Sequence, residues 1–302
     1  MKPAVRYAIA AAGAGALAIM ARQLDVHAIG HALRDMNPVF GIAAMIVMIG
    51  AKLGAKVARS QLLLDAECKR VGCAAPRPAV TARLLAASHA AGQLAWGPLG
   101  FTVRTVALRD GGMPLGAIAR VHVAERIAEA AGIAAIAVIA LAFEPGAILG
   151  SWMGRVLVAG FALVAAATLV VAAVPRLRGA LARRAAGRKQ LACAAAWAFA
   201  SSAADIAVLL LAARAMHVDV GMAPLLLAFL AVNGGCALPI TPAQLGVQEA
   251  AITVAFATGG IAAPAALACA LAYRAAHVVP LVLVGVPSLV ATWLPARKAA
   301  RC

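Results

Sequence analysis

The sequence predicts an all-α polytopic membrane protein built from two inverted repeats, each with three membrane spans and a re-entrant hairpin. Three observations predict this fold class: the composition, the placement of the basic residues, and an internal match at a shift of 148 residues. Of the 302 residues, 64% are hydrophobic and 13% are charged, and the mean hydropathy is +0.94. Soluble domains are about 45–50% apolar and about 25% charged. A water-soluble core cannot use this much apolar surface.

The spans follow from the length of the apolar runs, because a helix needs about 20 apolar residues to cross about 30 Å of hydrocarbon. Such runs predict six spans, at 5–21, 38–57, 114–143, 156–174, 191–213 and 262–294. Two further apolar stretches, 80–109 and 222–258, are interrupted by Gly97-Pro98 and by Pro239-Ile240-Thr241-Pro242. These breaks predict re-entrant hairpins. The first 20 residues also resemble a signal peptide, but the first span has a counterpart later in the chain.

The basic residues fix the sidedness, since Lys and Arg accumulate on cytoplasmic loops. With both termini inside and both hairpins returning to the side they entered from, 19 of the 27 Lys and Arg residues lie inside. The others are Arg22, Arg34, Arg155 and Arg214 outside, and Lys52, Lys56, Arg126 and Arg274 within spans. If the stretch 80–109 crossed fully, the basic loop 175–190 would move to the outside. The net charge of +16 therefore indicates membrane topology rather than nucleic-acid binding.

The shift of 148 residues divides the chain into a first repeat, 1–150, and a second repeat, 151–302. It places each predicted span and hairpin of the first repeat on its counterpart in the second, and it places Arg126 on Arg274. Three crossings in each half make the halves inverted relative to each other. Inverted repeats with broken helices that meet near the midplane are typical of transporters.

The second hairpin contains the strongest local signal for a site. Thr241 is a favourable N-cap, Pro242 suits the first helical position, and Gln244 completes a capping-box pattern. A helix that starts here in mid-membrane would present free N–H groups to an anionic headgroup, with Gly246 and Glu249 close by. The alternative is that the prolines only kink a packed hairpin.

The first repeat offers a second set of candidates. Arg104 follows the Gly97-Pro98 break by about two turns and suits a phosphate, or it is an interfacial arginine that follows the positive-inside bias. Glu125, Arg126 and Glu129 lie on one predicted span, and their counterparts are Tyr273, Arg274 and His277.

Ionisable groups at membrane depth are costly, so they are usually paired, cavity-lining or functional. The candidates are therefore substrate contacts or structural ion pairs, with Arg126 paired to Glu249 or Arg274 paired to Glu125. His277 is either a proton relay or a hydrogen-bonded packing residue. Asp205 is predicted near the outer end of its span, beside Arg214 or water.

Four runs of the sequence carry a resemblance to a known family. They are Gly-Pro-Leu-Gly-Phe-Thr-Val-Arg at 97–104, Val-Ala-Glu-Arg at 123–126, Leu-Pro-Ile-Thr-Pro-Ala-Gln-Leu-Gly-Val-Gln-Glu at 238–249 and Tyr-Arg at 273–274. Together they resemble the lysylphosphatidylglycerol synthase transmembrane, or flippase-like, family of prokaryotic integral membrane proteins. Ala243 and Gln244 stand where that family usually has two glycines. The resemblance covers the transmembrane region without the aminoacyl-transferase domain, and it implies lipid translocation or association with lipid-modifying enzymes.

These observations lead to an expected function. We expect a flippase or transporter that binds the anionic headgroup of a membrane lipid or of a polyprenyl-phosphate-linked substrate at broken-helix N-termini. The candidate binding residues are Arg104, Glu125, Arg126, Thr241, Pro242, Gln244, Gly246, Glu249 and Arg274. A non-transporting subunit that scaffolds a glycosyltransferase or lipid-modifying enzyme is the competing hypothesis. An intramembrane enzyme would have only Glu125, Glu249 and His277 to use.

No zinc pattern, nucleophile elbow or phosphate-binding glycine loop is present in the sequence, so we expect no cofactor, no metal and no catalysis. The expected location is a prokaryotic inner membrane, with both termini cytoplasmic.

Overall fold

The computed structural model describes residues 34–94, 97–160, 187–236 and 246–293. Every regular element within these ranges is a helix. Their order is α1 (Pro38–Val71), α2 (Pro78–Leu94), α3 (Gly97–Asp110), α4 (Leu115–Phe143), α5 (Pro145–Gly150), α6 (Arg188–Ala215), α7 (Met222–Cys236), α8 (Val247–Thr258) and α9, which joins Ala263–Pro280, Leu281–Gly285 and Val286–Trp293. Residues 152–160 are also helical.

Four of these helices are long and apolar enough to cross a membrane: α1, α4, α6 and α9. They lie at the predicted spans 38–57, 114–143, 191–213 and 262–294. The predicted span 5–21 and most of 156–174 fall outside the described residues. The structure therefore confirms an all-α polytopic membrane protein. The inverted repeat, the repeat boundaries and the re-entrant course of the hairpins stay predictions.

The two predicted hairpins are both pairs of packed helices. Helix α2 packs against α3, and α7 packs against α8. Gly100 of α3 is needed for the first packing, because a Cβ there would collide with the backbone carbonyl oxygen of Ser88. The Ser88 hydroxyl in turn donates to the carbonyl of Gly100 at 2.8 Å.

Helix α1 is longer than the span predicted within it. It starts at Pro38, where the side chain of Asn37 accepts a hydrogen bond from the Val39 N–H at 3.0 Å, and it ends at Gly72 with φ 73°. The prediction stopped at residue 57 because the second half of α1 is rich in charge. A π-helical segment, Met48–Leu53, interrupts α1 at Lys52. Such segments often occur at functional sites.

Helix α6 is the centre of the described structure, since it packs against α1, α4, α7 and α9. Small residues allow this close packing, as is common between membrane helices. A Cβ on Gly132 of α4 would lie 2.9 Å from backbone atoms of Ala198 and Phe199 in α6. Large apolar side chains point outward instead: Val138 is 66% exposed and Leu283 is 69% exposed. This distribution suits a protein surrounded by lipid.

The contact at Gly132 gives a test of the packing. We expect Gly132→Ala to force α4 and α6 apart and to cost about 1–3 kcal/mol of stability. Gly54→Ala is the matched control, because nothing lies within 4 Å of a Cβ at Gly54. That control should be neutral or stabilising by up to about 1 kcal/mol. Melting temperatures of the purified variants in detergent measure both effects, and equal melting temperatures would contradict the packing described here.

Candidate functional site

A stripe of polar and charged side chains runs along one side of α1. We call Lys52, Lys56, Arg59, Ser60 and Glu67 the charged stripe; their spacing places them on neighbouring turns of the helix. At 1.5 Å per residue the stripe extends for roughly 22 Å. Each member contacts a polar side chain from another helix, so the stripe faces the interior of the bundle.

The innermost contact of the stripe joins α1 to α6 and α9. Asp205 of α6 accepts hydrogen bonds on one oxygen from Lys52 Nζ at 2.6 Å and from the Tyr273 hydroxyl at 2.8 Å. His277 Nε2 lies 3.1 Å from the same oxygen and 2.8 Å from Lys52 Nζ. All four residues are buried. The backbone carbonyl of Tyr273 lies 2.9 Å from His277 Nδ1, so this nitrogen carries a proton and donates.

The next contact is a buried ion pair between α3 and α4. Arg104 donates two parallel hydrogen bonds to the carboxylate of Glu125, at 2.7 and 2.8 Å, and both side chains are less than a tenth exposed. Ser60 of the charged stripe also donates to Glu125 at 2.5 Å. The bidentate geometry uses both oxygens of the carboxylate. Glu125 therefore fastens α3 and α1 to α4.

Glu129 lies one turn further along α4 and is shared by two arginines. Arg59 Nη2 donates to one of its oxygens at 2.6 Å, and Arg126 Nη1 donates to the other at 2.7 Å. Arg59 is buried, whereas the Arg126 side chain is 62% exposed. The Arg126 guanidinium also lies over the Phe101 ring, 4.7 Å from its centroid. Glu129 and Arg126 thus form the accessible edge of the cluster.

Two further contacts complete the stripe. Lys56 Nζ lies 3.4 Å from Nε2 of His89 on α2. At the outer end, Glu67 accepts from Nε of Arg120 at 2.7 Å and also pairs with its Nη2. A pocket of about 300 Å³ lies beside Glu67 and Arg120. The stripe therefore runs from this pocket to Asp205, deep inside the bundle.

The second hairpin also forms an ion pair with a long helix, but here the carboxylate is on the hairpin and the arginine is on the long helix. Glu249 of α8 pairs with Arg274 of α9, and Glu249 Oε2 also accepts from the Gly246 backbone N–H at 2.9 Å. Glu249 is thus an acidic residue at the N-terminus of α8, where it is stabilised by the helix dipole. In the first hairpin the arginine is on the hairpin, at Arg104, and the carboxylate is on the long helix, at Glu125.

The structure corrects several predicted contacts. Arg126 does not pair with Glu249, and Arg274 does not pair with Glu125; each pairs with a carboxylate closer in sequence. Periodicity identifies the face on which a residue lies but does not identify the helix opposite that face. Asp205 is buried against Lys52, whereas Arg214 pairs with Asp219 at 3.1 Å, so the predicted contact of Asp205 with Arg214 or water is wrong.

The described part of the second hairpin resumes at Gly246. Helix α8 begins at Val247, after a turn at Gly246 with φ 84°. Only glycine adopts this φ readily, which explains the break. Thr241, Pro242 and Gln244 lie outside the described residues, and their role stays a prediction. Within the described ranges, no group of three metal-ligating side chains is present.

Sequence reasoning recognised Lys52 and Lys56 as intramembrane cations but did not assign them or Arg59 to the site. The missed signal is their spacing on α1, at positions i, i+4 and i+7, in register with Glu67. Asp205 and Tyr273 were missed as partners because they come from other helices. In the structure, Arg104, Glu125 and Arg126 lie together near the stripe, while Glu249 and Arg274 form their own pair between α8 and α9.

The pair of Arg104 with Glu125 gives a test of structural pairing. Arg104→Met leaves a buried carboxylate without its main partner, so we expect a loss of about 3–5 kcal/mol. The double variant Arg104→Met with Glu125→Met removes both charges and should be more stable than the single variant.

Melting temperatures in detergent measure these differences, with Arg83→Met, an exposed arginine on α2, as the control. A double variant less stable than Arg104→Met would show that Glu125 has a different main partner.

The comparison with known proteins agrees with a helical membrane protein. The sequence matches the family described as lysylphosphatidylglycerol synthase TM region over residues 4–285, which is nearly the whole chain. A search of curated proteins found no match. The resemblance drawn from the four sequence runs is therefore confirmed, and the chain belongs to the family of the lysylphosphatidylglycerol synthase transmembrane region.

Proposed function

We propose that the protein moves an anionic lipid, or a lipid-linked substrate, from one leaflet of the membrane to the other. The charged stripe is the observation that supports this function best. It places ionisable groups along roughly 22 Å of the charged second half of α1, from a pocket at one end to Asp205 inside the bundle. Ionisable groups at such depth mark substrate pathways in many membrane proteins. The family suggests a role in lipid synthesis or lipid transfer.

In this proposal the ion pairs have two different tasks. Arg104 with Glu125, and Arg274 with Glu249, are buried pairs that hold the hairpins against the long helices. Arg126 and Glu129 lie at the accessible edge, where a headgroup can replace one partner without unfolding the bundle. The N-terminal side of Gly246, with Thr241, Pro242 and Gln244, is proposed as a second contact for the headgroup. We place the protein in a prokaryotic inner membrane, with both termini cytoplasmic.

Reconstitution tests the proposal directly. The purified protein, alone in liposomes, should accelerate the movement of acyl-labelled phosphatidylglycerol or of a labelled polyprenyl-phosphate sugar to the opposite leaflet. Dithionite added outside quenches only the label in the outer leaflet, which measures the rate. Folded protein that accelerates none of these substrates would rule out translocation and favour a scaffolding subunit.

The accessible edge gives a second prediction. Arg126→Ala should slow translocation severalfold while the melting temperature stays near that of the wild type, because this side chain is mostly exposed. Arg214→Ala is the matched control, since Arg214 is a half-exposed arginine that pairs with Asp219 away from the stripe. Both rates are measured in the same liposome assay. Equal slowing by the two variants would contradict a specific role for Arg126.

A further inference from the structure

The cluster around the charged stripe contains more positive than negative charge. Its cations are Lys52, Lys56, Arg59, Arg104 and Arg126, and its carboxylates are Asp205, Glu125 and Glu129. Five cations against three carboxylates leave two positive charges in excess. Lys52 is balanced by Asp205 and Arg104 by Glu125, whereas Arg59 and Arg126 share Glu129.

The rest of the chain offers little counter-charge for this excess. Of the 11 acidic residues, Asp25 alone lies outside the described residues, so at most one excess charge has a carboxylate there. Glu67 is engaged by Arg120, and Glu249 by Arg274. The other acids are Asp35, Asp65, Asp110, Glu144 and Asp219, and in the described part of the chain none of them forms an ion pair or hydrogen bond with the five cations.

Arg59 shows where the counter-charge is needed. Its side chain is 4% exposed, and Nη2 alone donates to Glu129. Nε and Nη1 are buried and have no hydrogen-bond partner among the described residues. Buried guanidinium N–H groups are almost always paired, because water has been removed from them. One turn away, the hydrogen-bond contact that Lys56 makes among the described residues is the long one of 3.4 Å to Nε2 of His89, which is not a carboxylate.

The surroundings of the two cations favour a ligand that carries acyl chains. Arg126, Glu129 and Phe101 form a partly exposed border beside Arg59. Val123 and Ile127 of α4 lie within one turn of Arg126 and present apolar surface on the outside of the bundle. A ligand with an anionic head and apolar tails could thus bury its head at Arg59 while its tails stay in the hydrocarbon.

We propose that Lys56 and Arg59 bind the phosphate group of a lipid or lipid-linked substrate. A phosphodiester carries one negative charge and a phosphomonoester up to two, which matches the excess of two. The Arg59 fork donates two hydrogen bonds to phosphate oxygens, and Lys56 adds a third donor. This site specifies the substrate of the proposed function more closely. It rests on that function for the assumption that the substrate is anionic.

Equilibrium binding tests the site separately from transport. The probe is phosphatidic acid with a fluorescent acyl chain, titrated by anisotropy against purified protein in dodecyl maltoside. We expect Arg59→Gln and Lys56→Met each to weaken binding about tenfold or more. Arg83→Gln removes the same charge from an exposed position on α2 and should bind like the wild type. Arg59→Lys keeps the charge without the fork and should bind with intermediate affinity.

Melting temperature separates this role from a structural one. An unbalanced buried cation destabilises the empty protein, so Lys56→Met should melt at the same or a higher temperature than the wild type while binding more weakly. Binding by Lys56→Met and Arg59→Gln equal to that of Arg83→Gln would overturn the proposal. Displacement of the probe by millimolar inorganic phosphate would overturn the claim that the bound phosphate must belong to a lipid. Intact binding without any translocation in liposomes would refute the transport function and leave the site standing.

Discussion

The bundle depends on one constraint: a charge taken out of water into apolar surroundings needs an opposite charge or a full set of hydrogen bonds. Helix α1 carries the charges that impose this constraint. Helix α6 meets it with Asp205, and α4 meets it with Glu125 and Glu129. Apolar contacts cannot select these neighbours, because lipid tails are as apolar as the side chains that replace them. The polar contacts therefore specify which helix faces α1, and small residues such as Gly132 let the backbones approach closely enough to make them.

Much of the fold could be predicted from the sequence, because membrane spans depend on a local property. Apolar length alone placed α1, α4, α6 and α9 at predicted spans, and the family is confirmed. The ends of elements were harder to predict. Helix α1 continues well past residue 57 because its charged second half is shielded by α2 and α4, a tertiary effect that no local window contains. Helix α8 starts at Val247, after the positive φ of Gly246, a backbone state that local capping patterns did not indicate.

The residues of the candidate site could be predicted from the sequence, but the partners of those residues could not. Glu125, Arg126, Glu249 and Arg274 were singled out because ionisable groups are rare in spans, and all four are ion-paired in the structure. Their partners could not be predicted, because a partner depends on which helices pack together. The same limitation hid the role of Asp205, whose neighbours come from two other helices.

Balanced ion pairs explain how the bundle holds together, whereas the excess of cations near Glu129 has no structural purpose that the described contacts explain. We therefore assign ligand binding to the unbalanced cations and structural stabilisation to the balanced ion pairs.

The most direct test of this assignment is the composition of the lipids that co-purify with the protein, measured by mass spectrometry against the bulk membrane extract. The account predicts that phosphate-bearing anionic lipids, or lipid-linked phosphates, are enriched in the wild type and that this enrichment is lost in the double variant Lys56→Met with Arg59→Gln. Arg83→Gln, which lowers the net charge without touching the cluster, should keep the enrichment. A co-purified composition equal to that of the bulk membrane, in the wild type and the variants alike, would contradict the claim that the excess of cations around Lys56 and Arg59 holds an anionic lipid.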